Sequence, residues 1–420
     1  VRKFITIITL ILLLSPSLKA SKILIPMDHD SQKEHLKAYG IAFYALQKSV
    51  KVDWLLNYRG GSFVTDHYLE LEKECKIRNV SYEVIPEAKY TLILTQISDP
   101  DANMDIVQLD KVPKIGVYTP DGKQPWDDAV TMVLDYAEIP FDKVYDDEVL
   151  EDKLVQYDWL HLHHEDFTGQ YGKFYQSFRN APWYKEDVRL KEAMAKKHGF
   201  AKVSQLKLAV AKKIKDFVIG GGFLFAMCSA TDSYDIALAA ENTDICEHMY
   251  DGDAADKSAQ QRLDFNKTLA FKNFQLKKNP LEYEFSDIDM TQTRRVPFKS
   301  DYFQLFTFSA KFDPVPSMLT QNHTTTIKGF MGQTTTFKSS TLKSSVLVMG
   351  DNKSVGEARY IHGELGKGTW TFYGGHDPED YQHQVGDPPT ELEVHPKSPG
   401  YRLILNNVLF PAAKKKPQKT

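Results

Sequence analysis

Cys228 has the setting in this chain most suggestive of chemistry. Gly220, Gly221 and Gly222 allow a hard turn into an apolar run of buried-strand length, 223–227, and the thiol stands where that strand must stop. Ser229, Ala230, Thr231 and Asp232 then offer N-cap chemistry to a helix expected over 234–241. Strand, sharp turn bearing a nucleophile, and helix are the parts of a nucleophile elbow. In such an elbow the helix N-terminus lowers the thiol pKa, and the Ser229 amide holds a developing oxyanion. A lone Cys in an apolar run is also the ordinary form of an inert core thiol, and Ala226 and Ala230 stand where the elbow pattern has glycine.

Two further groups carry chemistry. Gly374-Gly375-His376-Asp377-Pro378-Glu379 follows a strand expected over 368–373, and a His with a carboxylate three residues on can serve as an oriented general base. The same residues could equally tie down a Pro-containing turn. In His161-Leu162-His163-His164-Glu165-Asp166 the first two histidines share a strand face, a spacing that can hold a metal, with Glu165 completing the set. No H-E-x-x-H pattern accompanies them, so substrate hydrogen bonding by His161, His163, His164 and Glu165, or a structural role, is the stronger expectation. No metal and no other cofactor is assigned.

The elements that must position these groups alternate. Strand, helix, strand, helix and strand patterns over 21–110 indicate an N-terminal α/β unit. The alternation begins afresh with strands at 114–118, 141–145 and 157–163 and helices at 126–136 and 203–217, and it resumes at 345–349 and 368–373. The fold expected for 111–244 with 345–413 is therefore α/β, a doubly wound (flavodoxin-like), mainly parallel sheet that brings Cys228 and His376 to the carboxyl edge of the strands. Frequent Thr, Phe and Tyr in short alternations make 245–344 an expected β-rich insertion over the cleft. Residues 414–420 form a basic, solvated tail.

Bulk properties narrow the classes. The 420 residues carry a formal net charge of −4, which gives no reason to expect a nucleic-acid partner. Residues 1–20 join a short basic start to an apolar run and a small residue, Ala20, and read as a secretory signal peptide, so a periplasmic or secreted protein without a membrane span is expected. Three cysteines are an odd number for such a protein, leaving at least one thiol free or paired between chains.

The stretches 220–232 and 371–379 resemble the class I glutamine amidotransferase-like superfamily, and among its branches the trehalose-utilisation (ThuA-like) one. Residues 157–162 resemble that superfamily's third core strand, and the likeness covers about 112–244 and 345–411. It implies Cys228 as nucleophile, His376 as base and Glu379 as orienting carboxylate. In the amidotransferase pattern His and Glu stand two apart rather than three, and the thiol position of the ThuA-like branch is often not Cys. Through 25–28, 54–62 and 161–173 the chain is also similar, over nearly its full length, to exported proteins commonly labelled asparagine synthetase B. It has no S-G-G-x-D-S phosphate loop, so ATP-dependent amide synthesis is not expected. The leading expectation is a thiol-dependent hydrolase or amidotransferase-like activity on a small polar substrate, an amide or a carbohydrate. A non-catalytic carbohydrate- or peptide-binding protein using the same cleft is one alternative. A metal-assisted hydrolase centred on His161, His163 and Glu165 is the other.

Overall fold

Short apolar runs separated by helical periods give this chain two sheets. The computed structural model describes residues 21–120, 124–382 and 384–414. The expected signal segment (1–20), part of the turn before the 126–136 helix (121–123) and most of the basic tail (415–420) lie outside the described residues.

The first sheet contains β1 (Ser21–Ile25), β2 (Val52–Leu56), β3 (Ser62–Asp66), β4 (Glu83–Pro86) and β5 (Asp105–Leu109). Its order is β4-β1-β3-β2-β5, and every neighbouring pair is antiparallel. β3 adds a strand to the pattern expected for 21–110, with buried Phe63 opposite buried Trp54 of β2 and Val64 buried beside it. The helix His35–Gln47 covers one face, and its Gly40 lies so close to the 129–136 helix that a Cβ would meet the Ala137 carbonyl oxygen at 1.8 Å. Across this seam the buried Arg402 of the helix Pro399–Leu409 donates to the carbonyls of Met27 and Gly60, fixing the N-terminal sheet to the rest of the chain.

The second sheet contains β6 (Ile115–Tyr118), β7 (Asp142–Val144), β8 (Trp159–Leu162), β9 (Phe223–Met227), β10 (Tyr302–Leu305), β11 (Thr326–Lys328), β12 (Phe337–Lys338), β13 (Leu347–Asn352), β14 (Glu357–Leu365) and β15 (Gly368–Tyr373). The order is β11-β10-β13-β14-β15-β9-β8-β6-β7, with β12 also on β14. The pairs among β7, β6, β8, β9 and β15 are parallel, and the remainder are antiparallel. The protein is thus α/β with mixed sheets. Helices Val203–Gly220 and Ala230–Ala239 bury Leu206, Val210, Ile214, Tyr234 and Ile236 in the core on one side of the parallel strands. Trp159, Phe225 and Tyr373 pack with the helices at 129–136 and 399–409 on the other.

The 245–344 segment corrects an expectation. It holds only the short strands β10, β11 and β12, and its helices are likewise short. Phe303 and Phe337 are buried on the strands β10 and β12, but Phe271, Phe274 and Phe285 plug the core from outside the named strands. Carboxylates take the place of a ladder, with buried Asp235 accepting from the amides of Leu269, Ala270 and Phe271. No helix among the described residues is long and apolar enough to cross a membrane.

Candidate active site

β6 ends at Tyr118, and the helix Ala129–Tyr136 that follows is capped by Asp128, whose Oδ1 accepts from the amides of Val130 (2.8 Å) and Thr131 (3.0 Å). Its other oxygen, Oδ2, faces β8 and stands 3.0 Å from His163 Nδ1 and 3.5 Å from His161 Nε2. The two histidines do share a face at the end of β8, as their spacing implies. His161 Nδ1 lies 3.3 Å from the carbonyl oxygen of Phe225 on the neighbouring strand β9.

β15 delivers His376 to the same place. Gly375 makes the turn, at φ +97 and so close to Phe330 that a Cβ would meet its ring at 2.5 Å. His376 Nδ1 is 3.0 Å from His163 Nε2, and His376 Nε2 is 3.2 Å from Asp127 Oδ1. One chain of contacts therefore runs Asp128–His163–His376–Asp127. His164 stacks on both rings, 4.2 Å between centroids in each case. His161 and His376 are fully buried. Burial opposes ionisation of Asp128, yet the facing His163 and His161 imidazoles hold its carboxyl well below the usual range; burial pushes the His161 imidazole down.

The cluster opens on two cavities that share Trp126 and His164. One, of about 260 Å3, is lined by Asp127, Asp128, His163 and Glu165. The other, of about 370 Å3, is lined by His376, Gln333 and the aromatic walls Phe174 and Tyr283. Trp126 stacks on Phe174 at 5.4 Å. A larger cavity of about 560 Å3 shares Tyr283 and is lined by Lys173 and Asp289, but the histidines do not line it.

The thiol is built differently from the sequence expectation. Cys228 adopts φ +54 despite having alanines where elbow patterns have glycine, so the sharp turn is present. Its amide donates to the Gly375 carbonyl at 3.2 Å, and its own carbonyl accepts from the Thr231 hydroxyl at 2.7 Å. Burial pushes the thiol up to about 12, against the opposing hydrogen bonds from the Ser229 and Gln333 amides, so the helix N-terminus does not activate it. His376 has its ring nitrogens turned to His163 and Asp127. Glu379 faces His395 at 3.1 Å rather than His376, because the Asp377 side chain caps the turn and carries Glu379 outward. The Ser229 hydroxyl donates to the His164 carbonyl at 3.0 Å. Glu165 lines the smaller cavity but pairs with Lys191 at 4.0 Å and Lys207 at 3.4 Å, and these cations outweigh burial in holding its carboxyl below the usual range. Cys75, Cys228 and Cys246 are all buried free thiols.

Sequence reasoning missed Asp127 and Asp128, which read as first-turn residues of a helix starting at 126. It also missed a buried acid pair. Thr334 joins Asp232 and Asp289, its hydroxyl donating to Asp232 at 2.8 Å and its amide to Asp289 at 2.9 Å. Burial and the facing Asp289 raise the Asp232 carboxyl well above its ordinary range, and burial raises Asp289 to about 6.

No protein-family model matches the chain, and no curated protein matches it. Among solved structures it is similar to Cytoplasmic Protein STM3548 from Salmonella typhimurium, at TM-score 0.34 and 11% identity over 72% of this chain and 100% of that one. It is also similar to Cytoplasmic Protein STM1381 from Salmonella typhimurium LT2, at TM-score 0.31 and 12% identity over 66% of this chain and 91% of that one. At these scores the likeness carries no argument about activity. Both neighbours are described as cytoplasmic, and the periplasmic or secreted location expected from residues 1–20 is carried no further.

Proposed function

We propose that the protein is a hydrolase acting on a small polar substrate, with water activated at the Asp127, Asp128, His163 and His376 cluster as its nucleophile. The observation that carries this reading is the unbroken carboxylate–imidazole–imidazole–carboxylate chain reaching the wall of a cleft. Imidazoles oriented by carboxylates take and return protons near neutral pH, which is what hydrolysis asks of general acid–base groups. Trp126, Phe174 and Tyr283 offer flat apolar faces beside polar groups, a lining suited to a carbohydrate or other compact polar molecule.

The finer fold reading supports the same place. We read β7-β6-β8-β9-β15 as a doubly wound, flavodoxin-like core, because strands in that order and all parallel follow the 2-1-3-4-5 pattern. Ligands of such sheets bind beyond the carboxyl ends of the strands where the winding reverses, here between β6 and β8. Asp127 and Asp128 follow β6, and His161 and His163 end β8. The resemblance to class I glutamine amidotransferase-like proteins is compatible with this core.

A thiol mechanism is the second reading, favoured by the positive φ of Cys228 and the two amides directed at its sulfur. The test is a screen of the purified protein against small esters, amides and glycosides. Turnover of one class, abolished by His376→Gln, is expected. Turnover of none, or turnover indifferent to that change, would dismiss the water-based reading.

A further inference from the structure

We propose that Asp128, His161 and His163 form a site for one divalent transition-metal ion, with His376 and Asp127 orienting His163. The case is a count of protons. The Phe225 carbonyl can only accept, so His161 Nδ1, 3.3 Å away, carries that ring's hydrogen. Nε2 of the neutral ring is then a lone pair, 3.5 Å from Asp128 Oδ2. At the other end Asp127 draws the His376 hydrogen to Nε2, 3.2 Å away, which leaves His376 Nδ1 an acceptor. The 3.0 Å contact between the two rings then needs the His163 hydrogen on Nε2. His163 Nδ1 becomes a second lone pair, 3.0 Å from the same Asp128 oxygen.

Two ring nitrogens, of His161 and His163, and one Asp128 carboxylate oxygen therefore stand together, all within 4.8 Å of one another. Such a trio repels unless positive charge sits among it. Two extra protons would supply that charge only by burying two adjacent imidazoliums, with His161 at 0% and His163 at 3% exposure. One divalent ion supplies the same charge and leaves each ring neutral. The 3.0 and 3.5 Å separations bracket the edge of about 3.3 Å that bonds near 2.05 Å give around a tetrahedral ion. Two histidines and one carboxylate leave coordination positions open, and Asp128 borders the cavity of about 260 Å3 from which water would reach them.

Other clusters do less well. His163, His164 and His376 also bring ring nitrogens within 4.8 Å of one another, but an ion there leaves the His161 lone pair against Asp128. Asp244, Cys246 and Asp251 already enclose a cation, since the Lys202 ammonium lies 2.6 Å from Asp244 and 3.0 Å from Asp251.

The site stands on its own geometry; that the ion activates the water of the proposed reaction rests on the hydrolase reading. The experiment is equilibrium dialysis of tag-free, chelator-stripped protein against Zn2+, with circular dichroism to verify folding of every variant. One ion per chain is expected. Asp128→Asn, which keeps the helix cap, and His161→Asn should each abolish stoichiometric binding. Asp127→Asn should weaken it about 10–100-fold, and His164→Gln should leave it intact. No binding by folded wild-type protein overturns the proposal, as does binding that survives Asp128→Asn and His161→Asn but is lost in His164→Gln. Zn2+ bound without turnover of any screened substrate would sink the hydrolase reading alone. Turnover by stripped protein that Zn2+ leaves unchanged would refute the ion's part in the reaction.

Discussion

Cys228 in the folded protein should be a slow nucleophile. Burial takes its pKa from the ordinary 9 to about 12, three units, so the thiolate fraction near neutral pH falls about 1000-fold. A more basic thiolate is more nucleophilic, by about 16–32-fold over three units at a Brønsted slope of 0.4–0.5. The net effect is alkylation about 30–60-fold slower than for an ordinary cysteine, before the complete burial of the residue slows it further. Timed iodoacetamide labelling, quenched and read peptide by peptide by mass spectrometry, measures this against the same protein unfolded. Cys75, pushed to about 12 by burial, and Cys246, raised well above the ordinary value by its own burial, should also lag, so the folded chain as a whole should resist labelling. Faster labelling of Cys228 in the folded than in the unfolded protein would refute the burial argument and restore the thiol as a reaction centre.

Asp289 has its folded pKa raised from the ordinary 3.8 to about 6 by burial, so its share of stability is complete below about pH 4 and is lost as pH rises through 6. That share is about 3 kcal/mol. Asp289→Asn does not titrate and also relieves Asp232, so its unfolding free energy minus that of the wild type should grow by at least that amount from pH 4 to pH 8 in urea melts; a flat difference would contradict it. Gly40→Ala should lower stability by about 1–3 kcal/mol, since the added Cβ meets the Ala137 carbonyl oxygen at 1.8 Å and the two helices must separate; an unchanged melting temperature would contradict it.

Strands β6, β8, β9 and β15 are legible in the sequence because each is a short, bounded apolar run. So are His161, His163 and His376, which stand at strand ends. Their carboxylate partners are not, because Asp127 and Asp128 come from another strand–helix junction, and helix periodicity extended back through Trp126 hid the cap. The Glu379 assignment followed chain spacing, whereas the Asp377 turn sends that side chain to His395. β14 escaped notice because Arg359 and His362 interrupt its apolar character; both are buried, His362 bonding to Thr371 on β15. In 245–344 the Phe and Thr content signals strand propensity, but propensity says nothing of whether an aromatic faces a ladder or plugs a core.

The most direct trial of the reaction centre compares turnover by Cys228→Ala and His163→Gln on whichever substrate the screen identifies, with both variants shown to be folded. Near wild-type turnover in the first and loss in the second is the expected result. Loss in the first with retention in the second would contradict it and move the chemistry to the thiol.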